Sequence, residues 1–297
     1  MRAAAKNCYN RLMAFFDTVA IVGVGLMGGS IGLALRKERM SKHVIGIGRR
    51  IEQLRLAENR GAVTEVTTDL RQGVASANLV VICTPVQQVP EFVAAAAKAC
   101  KPETIITDVG STKAAIVAAC DKALADSKGL WASFVGSHPL AGSERTGVEF
   151  AREDLFQGRM TVVTPTDQTR SEATAKVDAF WQGLGSKVVR MSPAEHDAAV
   201  AVTSHLPHLI ASALAAATPA DLLPLTASGW GDSTRVAAGD VELWRQIFLD
   251  NRGNTLKALA PFETVLAELR QALEASDGPA LARLLQQGKR IRDIVGS

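Results

Sequence analysis

Thr18-Val19-Ala20-Ile21-Val22-Gly23-Val24-Gly25-Leu26-Met27-Gly28 is the stretch that decides the fold. Its first five residues are an apolar, largely β-branched run, as in a buried strand. The next six are G-x-G-x-x-G, and a helical pattern follows over about residues 28–39. In that setting each glycine has a physical task. Gly23 permits the tight turn, Gly25 lets backbone approach a pyrophosphate, and Gly28 lets the helix pack on the strand. The helix N-terminus then faces the phosphates with free amides. The glycine pattern alone is a weak signal. Placed between strand and helix it predicts a dinucleotide site, with Leu26 and Met27 in the turn and Gly29 and Gly32 extending it.

Beyond the turn, short apolar runs alternate with helical stretches. Strands are expected at residues 43–48, 79–83, 104–107, 134–136, 160–164 and 187–191. Helices are expected at 51–59, 87–99, 113–124 and 172–183. After Pro193 no strand pattern recurs, and apolar residues at three- and four-residue spacing predict helices at 194–217, 241–275 and 279–295. The expected fold is α/β, a Rossmann-type doubly wound parallel sheet followed by a C-terminal all-helical domain. The expected boundaries are an extension over 1–17, a dinucleotide-binding domain over 18–192 and a helical domain over 193–297.

The bulk composition agrees. A chain of 297 residues, 47% hydrophobic and 21% charged, can build two ordinary cores. A net charge of +3 with no clustered basic face predicts neither a nucleic-acid nor a membrane partner. A small anionic substrate needs only one or two placed cations. Cys8, Cys83, Cys100 and Cys120 form no C-x-x-C pair and have no histidine at metal-ligand spacing, so no metal site is expected and a reduced, cytoplasmic protein is. Cys83, in an apolar run, is expected in the core. Residues 1–16 are basic but lack the apolar centre of a secretory signal, and they are read as an extension or as the product of an upstream start codon, with Met13 as the real start.

The end of the second strand bears on the choice of dinucleotide. An NAD site usually carries Asp or Glu about 20 residues past the glycines, bonded to the ribose hydroxyl. Here that place holds Gly48, then Arg49 and Arg50. No carboxylate repels a 2′-phosphate and two guanidiniums stand ready to receive one; the alternative is that Arg49 and Arg50 are an ordinary solvated loop. NADP is therefore expected to be favoured or at least accepted, with NAD as the other cofactor. Thr84 and Pro85, just past the third strand, complete the expected cofactor-binding set.

Four further segments lie in order along the chain: Asp108-Val109-Gly110-Ser111-Thr112-Lys113, Ser137-His138-Pro139-Leu140-Ala141-Gly142-Ser143-Glu144, Ser204-His205-Leu206-Pro207-His208 and Asp232-Ser233-Thr234-Arg235-Val236-Ala237. Together they resemble the prephenate/arogenate dehydrogenases of tyrosine biosynthesis, from about Val19 to the C-terminal helices. The resemblance implies oxidative decarboxylation of a cyclohexadienol, with hydride passing to NAD(P)+. Such a site needs a hydride acceptor, a group to take the hydroxyl proton, and cations or donors for carboxylates.

His138 fits the proton acceptor, because an imidazole with a pKa near ~6.5 is largely neutral at pH 7. Its bland alternative is a loop histidine bonded to backbone. The resemblance places the Ser111 hydroxyl beside it, although Ser111 before a helix also reads as an N-cap. Arg235 is the expected carboxylate clamp, contributed by the helical domain, with Asp232 beside it; its alternative is a surface ion pair with Asp232 or Asp240. His208, Ser204, Ser143 and Glu144 are implied substrate contacts, and Trp244 is a candidate to cover the ring or, alternatively, a packed aromatic. His205 and His208 share roughly one helix face but have no third ligand in view, and Pro207 should disturb that helix. Gly229-Trp230-Gly231 departs from the bulky or charged residues many members carry there, which leaves the substrate's side chain open. The resemblance also implies a homodimer through the C-terminal helices.

Two other functions share the glycine turn. The β-hydroxyacid dehydrogenases use a catalytic lysine after the Rossmann domain, and residues 192–235 contain no lysine. A non-catalytic NADPH-sensing protein on the same fold is the other.

Overall fold

The computed structural model describes residues 16–126, 132–143 and 145–296. The strands are β1 (Phe16–Val22), β2 (Ser41–Ile47), β3 (Glu65–Thr67), β4 (Leu79–Ile82), β5 (Ile105–Asp108), β6 (Ser133–Pro139), β7 (Met160–Thr164) and β8 (Lys187–Arg190). They form one sheet in the order β3-β2-β1-β4-β5-β6-β7-β8. The first six places are the doubly wound order, in which the chain leaves β1 in both directions and opens a crevice at the strand ends.

The alternation along each strand separates two cores. Val19 and Ile21, Val44, Leu79 and Val81 pack on one face of the sheet. Ala20 and Val22, Ile45 and Ile47, Val80 and Ile82 pack on the other. Because successive side chains point to opposite faces, a strand buried on both must be apolar throughout. The helices that cover these faces are α1 (Leu26–Lys37), α2 (Ile51–Asn59), α3 (Leu70–Val74), α4 (Val89–Ala97), α5 (Ala114–Ala125) and α6 (Ser171–Gly183).

Three features depart from the expected pattern. β3 and α3 were not expected, and at three and five residues they are too short for a period to emerge. β6 extends through Pro139, so His138 lies within the strand's last turns and pairs with Val162. β7 runs antiparallel to β6, which the expected all-parallel sheet does not contain. The physical reason is the connection. Between β6 and β7 the described residues hold only short turns, at Val148–Phe150 and over 153–158, and a parallel return needs a full crossover.

The rest of the chain is helical: α7 (Pro193–Val200), α8 (Leu206–Ala217), α9 (Ser228–Thr234), α10 (Val241–Asp250), α11 (Arg252–Glu274) and α12 (Gly278–Val295). Between α7 and α8 the backbone widens into a π-turn at Ala201–His205. Pro207 has no amide hydrogen to give one turn back, and the wide turn before it absorbs the mismatch. Pro193–Ala217 as a whole is long and apolar enough to cross a membrane by length and composition. It carries the buried polar pair His196 and Asp197, however, and α7 packs on α5 and β7. The single helix expected at 241–275 breaks at Asn251, whose side chain is spent on tertiary bonds. No residue of α12 is buried, and Leu285, Ile291, Ile294 and Val295 are exposed along it.

Candidate active site

The glycine turn closes β1 at the crevice. Gly23 has φ +93°, a left-handed conformation, and a Cβ there would stand 2.6 Å from the Cys83 carbonyl oxygen. A Cβ on Gly28 would stand 2.2 Å from the Gly23 carbonyl oxygen, so helix and turn meet there without room for a side chain. Gly25 differs. No atom lies within 4 Å of its Cβ position, so the fold itself does not require a glycine there. Leu26 and Met27 begin α1. Beside the turn, Thr84 follows β4 with its Oγ1 buried and without a partner, and Pro85 leads into the turn at Val86–Gln88. An open cradle and an orphaned hydroxyl fit a dinucleotide's phosphates. Gly48 packs against Leu54, and Arg49 and Arg50 stand exposed just past β2. Cys83 is partly buried beneath the turn, and burial pushes its thiol pKa up.

His138 sits near the end of β6, partly buried. Its Nδ1 lies 2.8 Å from Nε2 of His196, which belongs to α7 and is fully buried. The His196 Nδ1 lies 2.8 Å from Oδ1 of Asp197. Asp197 in turn accepts from the Lys113 amide at 2.7 Å and the Ala114 amide at 2.9 Å. Its backbone carbonyl accepts from Asn251 Nδ2 at 2.7 Å, and that same nitrogen lies 3.2 Å from His205 Nδ1. Burial raises the Asp197 pKa, but the bonds from His196, Ala114 and Lys113 outweigh it and leave the carboxyl below its usual value. Burial, then the neighbouring His196, Lys113 and His205, hold the His138 pKa well below the usual imidazole value. His138 is therefore neutral at pH 7.

Beneath this row lies a fully buried ion pair, Lys113 with Asp108. Asp108 also accepts from the Ser137 amide at 3.0 Å and the Gly110 amide at 2.8 Å, which ties the end of β5 to β6 beside His138. Ser111 stands in the loop between β5 and α5, partly exposed. It is not the N-cap of α5. That position is Lys113, and the acceptor that satisfies the first amides is Asp197 from another element. Sequence reading passed over His196, Asp197 and Asn251. The only signal at the first two was the Ser192/Glu195 capping box that starts α7 and sets their phase.

In the helical half, His208 stacks on Trp244 with ring centroids 3.6 Å apart, so Trp244 is packed against a histidine. His205 and Phe248 meet Trp244 edge-on or tilted. The Nδ1 of His208 is buried and has no partner, and burial lowers the His208 pKa. Burial foremost brings that of His205 to about 4. Ser204 lies in the π-turn, one residue before His205, and is half-buried. Arg235 opens the short turn Arg235–Ala238, which packs on α8, and is exposed. Among the described residues it forms no ion pair with Asp232 or Asp240. Asp232 is exposed on α9, and Asp240 instead caps α10 through the Leu243 amide at 2.8 Å. Trp230 bonds Thr218 Oγ1 at 3.0 Å. Ser143 is exposed and accepts from the Arg145 amide at 3.2 Å, and Glu144 lies outside the described residues, as do Cys8 and Met13. α10 packs on the turn at Val86–Gln88, so the helical half closes over the end of β4.

Comparisons with known proteins bear on this cleft. The family model described as "Prephenate dehydrogenase, nucleotide-binding domain" matches residues 31–190, and "Prephenate dehydrogenase, dimerization domain" matches 192–287. The chain is 35% identical over 284 residues to a prephenate dehydrogenase of Bacillus subtilis, covering 93% of this chain and 76% of that protein. Among solved structures, prephenate dehydrogenase from A. aeolicus, in complex with hydroxyphenyl propionate and NAD+, superposes with a TM-score of 0.85 at 32% identity, covering 94% of this chain and 98% of that one. Synechocystis arogenate dehydrogenase superposes with a TM-score of 0.78 at 33% identity, covering 94% and 99%.

Proposed function

This chain belongs to the prephenate dehydrogenase family, and on that premise we propose how the work divides within its cleft. It is an NAD(P)-dependent oxidoreductase that converts prephenate or arogenate to 4-hydroxyphenylpyruvate or tyrosine, a step of tyrosine biosynthesis. The observation that carries our reading is His138, neutral, at the carboxyl end of β6 and in contact with His196 of the helical half.

His138 takes the proton of the ring hydroxyl as hydride leaves the same carbon, and the ring carboxylate departs as carbon dioxide while the ring aromatises. Ser111 donates to or accepts from the same hydroxyl. Arg235, free of Asp232 and Asp240, clamps a substrate carboxylate with its two-pronged guanidinium. The unpartnered Nδ1 of His208 meets the substrate's side chain, with Ser204, Ser143, Glu144 and Asp232 around it. Trp244 holds His208 in place by stacking. The dinucleotide lies on Gly23, Gly25, Leu26, Met27 and Gly28 with Thr84 and Pro85 beside it, and supplies the hydride acceptor. Arg49 and Arg50 receive a 2′-phosphate, so NADP is used in preference to NAD or alongside it.

The bare faces of α11 and α12 are covered by a second copy of the chain. α12 is amphipathic with no buried residue, and α11 buries only Thr255, Ala258 and Ala272, which leaves their apolar stripes for a partner. Cys83, Cys100 and Cys120 are free, as suits a reducing cytoplasm.

One assay tests the reading. The protein is incubated with prephenate or arogenate and with NAD or NADP, and absorbance of the reduced cofactor is followed. Turnover with at least one of the four pairings is expected; none in any pairing would overturn it. The faster pairing also names the substrate and cofactor.

A further inference from the structure

Three side chains, His196 and Asp197 buried and His138 partly so, lie in series at the junction of the two halves, and their donors and acceptors can be counted. Asp197 as a carboxylate only accepts. Its Oδ1, 2.8 Å from His196 Nδ1, therefore requires the proton of His196 on Nδ1. With its single proton on Nδ1, His196 presents a bare Nε2, which only accepts. The partner of that atom, His138 Nδ1 at 2.8 Å, must carry a hydrogen. This leaves His138 Nε2 as the bare nitrogen.

We propose that His196 and Asp197 form a positioning relay that holds His138 in its Nδ1–H tautomer, with Nε2 unprotonated and available to the substrate hydroxyl. This rests on the reading of His138 as the proton acceptor. The relay has a second consequence. When Nε2 takes the hydroxyl proton, the imidazolium still donates from Nδ1 to His196, and His196 still donates to Asp197. No proton need cross the row; the charge is met by a polarised chain ending in a carboxylate. The carboxylate end is itself fixed from three sides, by the Lys113 and Ala114 amides and, through its backbone, by Asn251. Other charged or titratable groups that face this row are Asp108 at the end of β5, Lys113 at the start of α5 and His205 from the π-turn.

His196 is a suitable residue to test because one substitution keeps its polarity. Glutamine presents a carbonyl oxygen and an amide nitrogen about as far apart as the two ring nitrogens. It can accept from His138 and donate to Asp197 at once. Phenylalanine keeps the ring and loses both functions.

The tautomer is read first, by nitrogen NMR of the wild-type protein labelled with 15N-histidine. The chain has five histidines, and single substitutions assign them. Expected are protonated Nδ1 and bare Nε2 on both His138 and His196; a His138 that is mainly Nε2–H overturns the proposal. In kinetics, His196→Phe is expected to lower kcat by about 10- to 100-fold, with KM for the substrate within about threefold. His196→Gln should return kcat to within about fivefold of wild type. Wild-type kcat in folded His196→Phe, or a folded His196→Gln no better than it, overturns the relay. If His196→Phe does not fold, the wild-type tautomer decides alone. If the wild-type protein turns over neither substrate, the functional reading fails, and the tautomer measurement still judges the relay.

Discussion

Asp197 caps a helix to which it does not belong: its carboxylate, on α7, lies 2.7 Å from the Lys113 amide at the start of α5. Replacing it with alanine strands two helix-end amides and the His196 Nδ1 in a buried place. We expect Asp197→Ala to cost about 2–4 kcal/mol in urea unfolding. The pH dependence has a definite sign. The folded pKa lies below the ordinary carboxylate value, so this stabilisation is complete above about pH 4. It is lost as pH falls through the folded pKa. The gap between wild type and Asp197→Ala should therefore close in acid. A gap that stays constant to pH 2 would contradict this account.

On the proposed role, His138 sets the pH profile of the reaction. Its depressed pKa keeps it in the basic form through neutrality, so the acid limb of kcat/KM should fall well below ~6.5, the ordinary imidazole value. His138→Asn should lower kcat by at least about 10³-fold and leave cofactor affinity within about twofold. Stopped-assay rates and fluorescence titration of the cofactor would check both.

Gly25 and Gly28 should respond differently to the same added methyl. At Gly25 the space is empty, so Gly25→Ala should fold with a normal melting temperature and bind NAD(P) about tenfold or more weakly. At Gly28 the methyl would meet backbone, so Gly28→Ala should lose about 3 kcal/mol of stability. Calorimetry with and without cofactor separates the two. Normal cofactor affinity in Gly25→Ala would remove the pyrophosphate from that turn.

Arg49 and Arg50 predict a shift in cofactor choice. The double substitution to alanine should raise the KM for NADP about tenfold or more and leave that for NAD within about twofold. Equal effects on both cofactors would return the pair to an ordinary exposed loop.

Arg235→Gln should raise the substrate KM by about tenfold or more, because the neutral amide loses the charge and the fork. The melting temperature should not move, since the side chain is exposed and makes no ion pair with Asp232 or Asp240. An unchanged KM would exclude it as the clamp.

The alternation of the cofactor half was legible because each element carries its own period. Val19 to Val22 and Leu79 to Ile82 are apolar on every position, which only strands buried on both faces require. The glycine turn was legible because its spacing, set between a strand run and a helical run, is itself the signal: Gly23 and Gly28 allow close backbone approach and Gly25 leaves open space. β3 escaped because three residues show no period. The break at Asn251 escaped because an asparagine in an amphipathic stretch costs little until tertiary partners claim its side chain. The antiparallel β7 escaped because direction is set by the connection, and the short turns that its described residues hold leave little trace in composition.

His138 was singled out from its motif, whereas His196 and Asp197 stood unremarked in an ordinary helix start. By itself the sequence determined every strand but β3, the glycine turn and the helical character of the C-terminal half, all of which show in patterns that span a few residues. Only the tertiary structure decided which histidine meets which. His138 and His196 are 58 positions apart, and their contact depends on how α7 docks against α5 and β7. That docking is fixed by Asp197 on the amides of α5, a bond whose donors are backbone groups and so have no signature in the sequence.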